Sequence, residues 1–437
     1  MSIPVNPPSG FRDFLPEACA RREFAVRVIS EVYRSFGFEP IATSAVEDLA
    51  VLTGKGGGEN EKLIFKILKR GDKLETARAA NGELSDLGLR FDLTLPLSRF
   101  YAKHQSRLPH PFKAFHIGPV WRAERAQKGR YREFYQCDAD IIGSESPLCE
   151  VEVISAILTA FERMGFADAT VHLNDRALVY AALAQAGAPE SQRGQACIAL
   201  DKLDKTPRES VEAELLGLLG AEPVAALQKT LMADAAGAAA DLSAYEAAGP
   251  QSYQRLAWIA KELAASGWTH VRVNPSLMRG LDYYTGPVFE FRHAKLSGSL
   301  GGGGRYDRLS EKFGGPAVPA CGASIGFERL LLLLEESGAG AASAGPEFCV
   351  LVFDESLREK SLELARRLRA AGKTADLYPG TGKLKAQFKY ADAKRAAHAL
   401  IIGPDEAAAG LVKAKNLKTG EERLVKAEEL VEKYPSQ

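Results

Sequence analysis

VWRAERAQKGRYREFYQCDADIIG, residues 120–143, is the stretch on which the reading of this chain turns. Arg122, Arg125, Lys128, Arg130 and Arg132 crowd its first half around Gly129, and the second half turns apolar and acidic. No apolar face recurs at helical spacing, so an amphipathic helix does not fit. The pattern predicts a strand over His116–Glu124, a basic loop around Lys128–Gly129 and a returning strand over Tyr131–Ile142. Guanidiniums fixed on strands hold phosphates bidentately, which flexible lysines do less well. A solvated charged hairpin is the commoner meaning of a charge run. Here Trp121, Phe134, Tyr135 and Gln136 alternate with the charges, which favours the wall of a pocket.

Upstream of the hairpin, Glu17–Phe36 predicts a long amphipathic helix with Phe24, Val28, Ile29, Val32 and Tyr33 on one stripe. Gly37 is placed to stop it, and a strand is expected over Phe38–Thr43. Leu89–Thr94 (LRFDLT) reads as another strand, leading into a helix through Pro96–Tyr101. Downstream, a helix is expected from Ser146 to Met164. Residues 176–266 are rich in Ala, Leu, Glu and Gln and read as a mostly helical insertion that includes LDKLDK at Leu200–Lys205. Strand signals resume at Val271–Val273 and Val288–Arg292, and Cys321–Leu334 reads as a strand entering a buried helix.

Ser337–Pro346, SGAGAASAGP, is the clearest linker. Beyond it, Phe348–Phe353, Thr374–Tyr378 and His398–Ile402 alternate with helices at Ser356–Ala371 and Leu384–Arg395, the pattern of a small α/β domain with a partly parallel sheet. The expected division is therefore 1–336, a linker at 337–346, and 347–437.

The 437 residues carry a formal net charge of zero, so any nucleic-acid contact must rest on local patches. No apolar run reaches membrane-spanning length and the start has no secretory h-region, so no membrane partner is expected. Cys19, Cys137, Cys149, Cys197, Cys321 and Cys349 are scattered without a CxxC pair, which supports neither a zinc site nor a disulfide framework and fits a cytoplasmic location.

Five further segments carry chemistry, each beside a plainer meaning. Arg279–Tyr284, RGLDYY, suits a polar pocket with aromatic walls and equally a β-turn with partly buried tyrosines. The glycines of GSLGGGGRYDRL lack the Lys-Ser or Lys-Thr of a Walker loop and the apolar helix start of a dinucleotide fingerprint. They suit a flexible loop or a backbone packed against a flat ligand. In CGASIGFERL, Arg329 alone reads more readily as a surface arginine on a core helix. Asp92 and Thr94 alternate on the expected strand and so share a face, where they suit an ammonium group; Asp92 paired with Arg90 or Arg99 is the structural alternative. In the last domain Lys383, Lys385, Lys389, Lys394 and Arg395 crowd one helix with Phe388 and Tyr390, a mixture that fits RNA but is more often a solvated helix face. The dispersed histidines suggest no catalytic base.

Taken in order, GFRDFLPE (Gly10–Glu17), LRFDLTLP, the 120–143 hairpin, LDKLDK, RGLDYYTGPVFEF, GGRYDRL, GASIGFERL, KLKAQFKYADAKRA and ALIIGPDE resemble the histidyl-tRNA synthetases, which are class II aminoacyl-tRNA synthetases. The resemblance covers nearly the whole chain. RGLDYY and QKGRYREF are specific to that group and its paralogues, whereas Arg122 in motif 2 and Arg329 in motif 3 match looser class signatures. LRFDLT and QCDAD look like the version shared with eukaryotic and some bacterial enzymes.

The resemblance implies an α+β fold, an antiparallel sheet flanked by helices with the site on one face, followed by an anticodon-binding α/β domain. It implies a homodimeric histidine–tRNA ligase whose partners are L-histidine, ATP and tRNA(His), with Mg²⁺ brought by ATP and no dedicated metal site. Carried over, Asp92, Thr94 and Gln136 hold the α-amino group and its surroundings. Asp140, Tyr283, Tyr284 and Tyr306 line the imidazole pocket. Arg122 and Arg279 grip the α-phosphate from opposite sides as the catalytic pair, Glu124 and Arg329 belong to the ATP site, and Gln127, Arg130 and Arg132 meet the tRNA acceptor end. One departure stands in motif 1, where Ser44 occupies the place of an expected proline and weakens any inference about local interface geometry. A non-catalytic paralogue, the regulatory subunit of ATP phosphoribosyltransferase, is the main rival. It typically lacks the last domain and loses catalytic residues, whereas this chain keeps Arg122, Gln136, Arg279 and Arg329. A synthetase-like RNA-sensing module is a third reading, normally embedded in a much larger chain.

Overall fold

The computed structural model describes residues 3–53, 59–126, 130–203, 206–232, 242–279, 284–296, 298–338 and 345–432. The chain divides into two compact units, one of Met1–Phe14 with Arg22–Gly340 and one of Leu15–Arg21 with Ala341–Gln437. Most of the expected linker, the tip of the basic loop (127–129), and residues 204–205 and 280–283 fall outside the described residues. Among the described residues no helix is long and apolar enough to cross a membrane.

The first unit is built on an eight-stranded sheet. Its spatial order is Glu39–Pro40, Phe112–Trp121, Glu133–Ile142, Ala320–Gly326, Gly301–Arg305, Pro287–Arg292, Thr170–Asp175 and Val271–Val273. The inner pairings are antiparallel, and only the outermost strand at each edge pairs parallel. Two-residue alternation sorts its side chains. Cys137, Ala139, Ile141, Cys321, Ala323, Ile325, Phe289 and Phe291 join the main core, packed with Val153, Ile154, Ile157 and Phe161 of the helix Leu148–Arg163 and with Ile29, Val32 and Tyr33 of the helix Pro16–Ser35. Fully burying the Val, Ile and Phe side chains among these contributes roughly 1.5–3 kcal/mol each before entropy is counted. The intervening residues face the other way and form the floor of the site.

Within that frame the returning hairpin strand, Glu133–Ile142, is close to expectation, whereas the first, Phe112–Trp121, begins and ends earlier than the expected His116–Glu124. Two expected strands are shorter. Phe38–Thr43 pairs only at Glu39–Pro40, because Pro40 lacks an N–H and the carbonyl of Thr43 is taken by Arg90 at 2.9 Å. Ser44 closes the following turn, its hydroxyl accepting the N–H of Val46 at 3.2 Å. LRFDLT is not a strand beyond Leu89: the strand is Ser85–Leu89 and a helix begins at Thr94. The carboxylate of Asp92 accepts the N–H of Leu95 at 3.3 Å, and this local bond competes with strand continuation. Ser85–Leu89 instead centres a small sheet between Val46–Asp48 and Lys66–Leu68.

The insertion is helical as expected, with helices from Arg176–Gln185 to Pro250–Ala265. Asp175 ends the strand and caps the first of them by accepting the N–H of Ala177 at 2.9 Å. In the second unit the sheet order is Ala375–Leu377, Phe348–Val352, His398–Ile402, Val412–Asn416 and Glu422–Val425, parallel in its first three strands and antiparallel in the rest. Buried Gln387 ties the helix Leu384–Ala393 to this sheet by bonding both the N–H and the C=O of Val352, at 2.8 and 2.7 Å. On that helix Tyr390 donates to Asp376 at 2.8 Å, while Lys383, Lys385 and Lys389 face solvent.

Candidate functional site

The strand register assembles one polar rank across the sheet. His116 stands opposite Asp138, Asp138 opposite Ser324, Ser324 opposite Gly302, and Gly302 opposite Glu290. One step along, Asp140 faces Gly322, which faces Gly304. The glycine run is thus a central strand and not a loop. The close packing it serves is against the protein's own side chains: a Cβ on Gly302 would lie 2.6 Å from Cζ of Arg279, and on the neighbouring strand one on Gly322 would collide with the Asp140 carboxylate. Glycine here lets an arginine and a carboxylate lie flat on the sheet.

Two adjoining cavities open on this floor. The first, about 310 Å³, is lined by Arg122, Glu124, Arg130, Arg279, Glu328 and Arg329 among others, with aromatic faces from Tyr131, Phe134, Tyr135 and Phe327. The second, about 220 Å³, is lined by Asp92, Thr94, Asp138, Asp140, Tyr284 and Tyr306. Arg122, Gln136, Arg279, Gly302 and Ser324 line both. A molecule spanning the cavities would meet the guanidiniums of Arg122 and Arg279, which line both.

Each arginine is held by a different device. The Nε of Arg122 donates to the carbonyl of Phe91 at 3.0 Å, and its guanidinium lies 5.1 Å from the Phe134 ring centroid. Arg279 donates from Nε to Glu290 at 2.9 Å and from Nη2 to Ser299 at 2.9 Å. Arg329 donates to the carbonyl of Ser299 at 2.7 Å. Burial would raise the Glu290 carboxyl, but Arg279 and Arg292 outweigh it and hold the group below its usual range. Burial and the like charges of Arg130 and Arg279 press the other way on Arg329, lowering its pKa. Glu328, the acid next to it, is already bonded to Arg12 and Arg22, at 2.5 and 3.0 Å. The first cavity is therefore short of negative charge and suited to a polyanion with a flat, apolar end.

The second cavity adds three acidic side chains to Arg122 and Arg279. Burial lifts Asp92 to about 6, against the lowering effect of the Leu95 N–H and of Arg122. Burial also lifts Asp140 to about 7, although the hydroxyl of Tyr306 donates to it. Asp138 is pushed well up by burial and by Asp140. Neither pairing suggested for Asp92 forms: Arg99 bonds Glu47 at 2.7 and 2.8 Å, and Arg90 bonds the carbonyls of Pro119 and Thr43. Three buried carboxyls with hydroxyls beside them suit a small cationic ligand.

Several candidate residues lie elsewhere or beyond description. The side chain of Arg132 does not line the cleft; it donates to the carbonyls of Glu124 and Ser9 at 3.1 and 3.2 Å and anchors the base of the hairpin. Gln127 and Tyr283 fall outside the described residues. Asp138, Glu290, Ser299, Ser324 and Arg12 were missed by sequence reasoning. Alternation in YQCDAD placed Asp138 beside Gln136 and Asp140, so that signal was present. Nothing local marks Arg12, whose guanidinium lies 3.2 Å from the Tyr131 ring centroid while bonding Glu328. Among the described residues no group of three or more His, Cys, Asp or Glu side chains could hold a metal ion.

A family model described as histidyl-tRNA synthetase matches residues 10–330, and one described as an anticodon binding domain matches 347–437. A histidine–tRNA ligase of Leifsonia xyli subsp. xyli is 41% identical over 435 residues, which cover 92% of this chain and 99% of that protein. One from Gloeobacter violaceus is 40% identical, covering 94% of each. Among solved structures, histidyl-tRNA synthetase from Nostoc sp. PCC 7120 superposes with a TM-score of 0.83 at 28% identity, covering 99% of both chains. A Bacillus halodurans structure described as an ATP phosphoribosyltransferase regulatory subunit/histidyl-tRNA synthetase gives 0.72 at 23% identity, covering 89% of this chain and 97% of that one, a likeness of fold alone.

Proposed function

We infer the roles of the site residues from one premise: this chain belongs to the histidyl-tRNA synthetase family. Its reaction joins L-histidine to tRNA(His) in two steps, through histidyl-adenylate formed from ATP. The observation that carries the assignment of roles is the seam, where Arg122 and Arg279 line both the cationic and the acidic cavity.

On this reading histidine occupies the acidic cavity. Its α-ammonium meets Asp92, Thr94 and Gln136, and its imidazole meets Asp140, Tyr284, Tyr306 and, beyond the described residues, Tyr283. ATP lies in the cationic cavity with Glu124 and Arg329, and magnesium enters on its phosphates as part of the substrate. A carboxylate oxygen of histidine attacks the α-phosphorus, the bond to the bridging oxygen breaks, and pyrophosphate leaves. Charge grows on the α-phosphoryl oxygens between the two guanidiniums, so the protein contributes position and electrostatic stabilisation. A hydroxyl of the terminal tRNA ribose then attacks the adenylate carbonyl carbon and AMP departs. Exposed Arg130 meets the acceptor end on this reading, as does Gln127, which lies outside the described residues. Arg132 serves that end indirectly by holding the base of the hairpin.

The same reading divides the chain into a catalytic part at 1–336 with its insertion at 176–266, a linker at 337–346 and an anticodon-binding part at 347–437. It also carries a homodimer and a cytoplasmic location. Val46, Leu68 and Leu84, on or beside the small sheet and 37%, 54% and 39% exposed, support an apolar contact with a second copy. The described cysteines are free thiols, which suits a reducing compartment.

Histidine-dependent ATP–pyrophosphate exchange tests the assignment of chemistry. Purified protein that is folded and binds histidine yet shows no exchange would hand the reading to the regulatory paralogue. Removing residues 347–437 should depress tRNA charging far more than exchange, and equal losses would count against an anticodon role.

A further inference from the structure

The amide of Gln136 can face the acidic cavity with either its NH₂ or its carbonyl oxygen, and only the oxygen accepts from an ammonium. Its surroundings choose. Nε2 lies 3.3 and 3.5 Å from the two carboxylate oxygens of Asp138 and 3.4 Å from the hydroxyl of Ser324. Ser324 stands across the ladder from Asp138, and its hydroxyl works against the rise of that carboxyl. Oε1 of Gln136 is left buried without a partner, in a side chain that lines both cavities. His116, across the ladder from Asp138, is held down at about 4 by burial and then by Arg90, and so stands neutral. It brings no cation to compete for Asp138.

We propose that Asp138 is a positioning residue for histidine recognition: it locks the Gln136 amide by accepting from Nε2, so that Oε1 is presented to the α-ammonium of the substrate. The proposal rests on the assignment of Gln136 to the α-ammonium and adds the group that sets its polarity. A flipped amide would set its carbonyl against the Asp138 oxygens and turn two donor hydrogens toward a cation. The 3% exposure of Asp138 shields this bond from water, which would otherwise satisfy either orientation.

Two ligand fragments separate this role from a structural one. L-Histidinol keeps the ammonium without the carboxylate, and 3-(imidazol-4-yl)propanoate keeps the carboxylate without the ammonium. In the full-length protein, calorimetry should show Asp138→Ala weakening histidinol by about tenfold, the scale of a hydrogen bond to a charged group, with propanoate affinity held within about twofold. Asp138→Asn, which keeps a carbonyl able to accept from Nε2, should recover most of the loss. On a Gln136→Ala background, Asp138→Ala should cost less than about twofold more, because its effect runs through the amide. Should Asp138→Ala fail to fold, Asp138→Val removes the acceptor at conserved volume. Equal weakening of both fragments overturns the proposal, as does an Asp138→Asn defect as large as that of Asp138→Ala, which would mean direct charge contact. Unchanged histidinol affinity in Gln136→Ala would instead remove the underlying assignment of the amide, and the proposal with it.

Discussion

On one side of Arg122 and Arg279 the cleft is lined by guanidiniums that carry their charge at any physiological pH. On the other side its charge rests on three buried carboxyls whose ionisation the fold itself controls. Arg122 is held at its stem by a carbonyl, and Arg279 by Glu290 at Nε and by Ser299 at one outer nitrogen. The carboxyls are stripped of water and waiting for a cation, with Asp92 and Asp140 raised to about 6 and about 7. A rigid cationic half suits a polyanion whose charge rises during reaction. A titratable acidic half suits discrimination, because a ligand without matching donors leaves buried acceptors unpaired.

The comparison breaks first at the seam. Arg279→Ala should lower histidine-dependent exchange by on the order of 10²–10³-fold with the fold intact, the scale of losing one preorganised charge donor. Near-normal exchange in that variant, measured beside its melting curve, would remove Arg279 from the reaction. Next comes the acidic half. Asp140→Asn should raise the KM for histidine by on the order of 10²-fold and leave the KM for ATP within about twofold. A parallel rise in both would mean that the halves are not separate.

The same carboxyls predict a pH effect. Because Asp92 and Asp140 have folded pKa values above the ordinary 3.8, they hold protons more tightly folded than unfolded. Their contribution to stability is complete below about pH 4 and is lost as pH rises through about 6 to 7. Histidine-free protein should therefore lose thermal stability between pH 5 and 8, while affinity for the ammonium rises over that window. Asp140→Asn should flatten the upper part of both curves, and the wild-type-to-variant ratio at each pH cancels the titration of histidine itself. The smallest effect belongs to the cationic half. Arg12→Ala should raise the KM for ATP by about fivefold without moving that for histidine, since Arg12 bonds Glu328 and stacks on Tyr131 at the edge of that cavity. A change confined to histidine would reverse the assignment.

Much of this was legible residue by residue. Alternation in REFYQCDADIIG announced both faces of the strand Glu133–Ile142, and helical periodicity announced the helix Pro16–Ser35. LRFDLT misled because its apolar alternation continues past the point where Asp92 turns the chain, a local bond that period counting does not register. Asp92 and Thr94 still share a cavity, but by way of a turn and a helix start rather than one strand face. The glycine run misled for another reason: it is a strand whose lack of side chains makes sense only once Arg279 and Tyr284 lie over it.

Residue order was enough to settle which residues alternate, where most helices start and stop, and, through the succession of motifs, the family. Those properties depend on neighbours a few residues apart, or on patterns that survive without coordinates. Tertiary structure alone decided that Glu290 would steady Arg279, that Arg12 would reach Glu328 across 316 residues, and that Gln136 would lie within reach of both Asp138 and Ser324. It also decided the ionisation of the three carboxyls, because desolvation is a property of the packed surroundings and not of the residue.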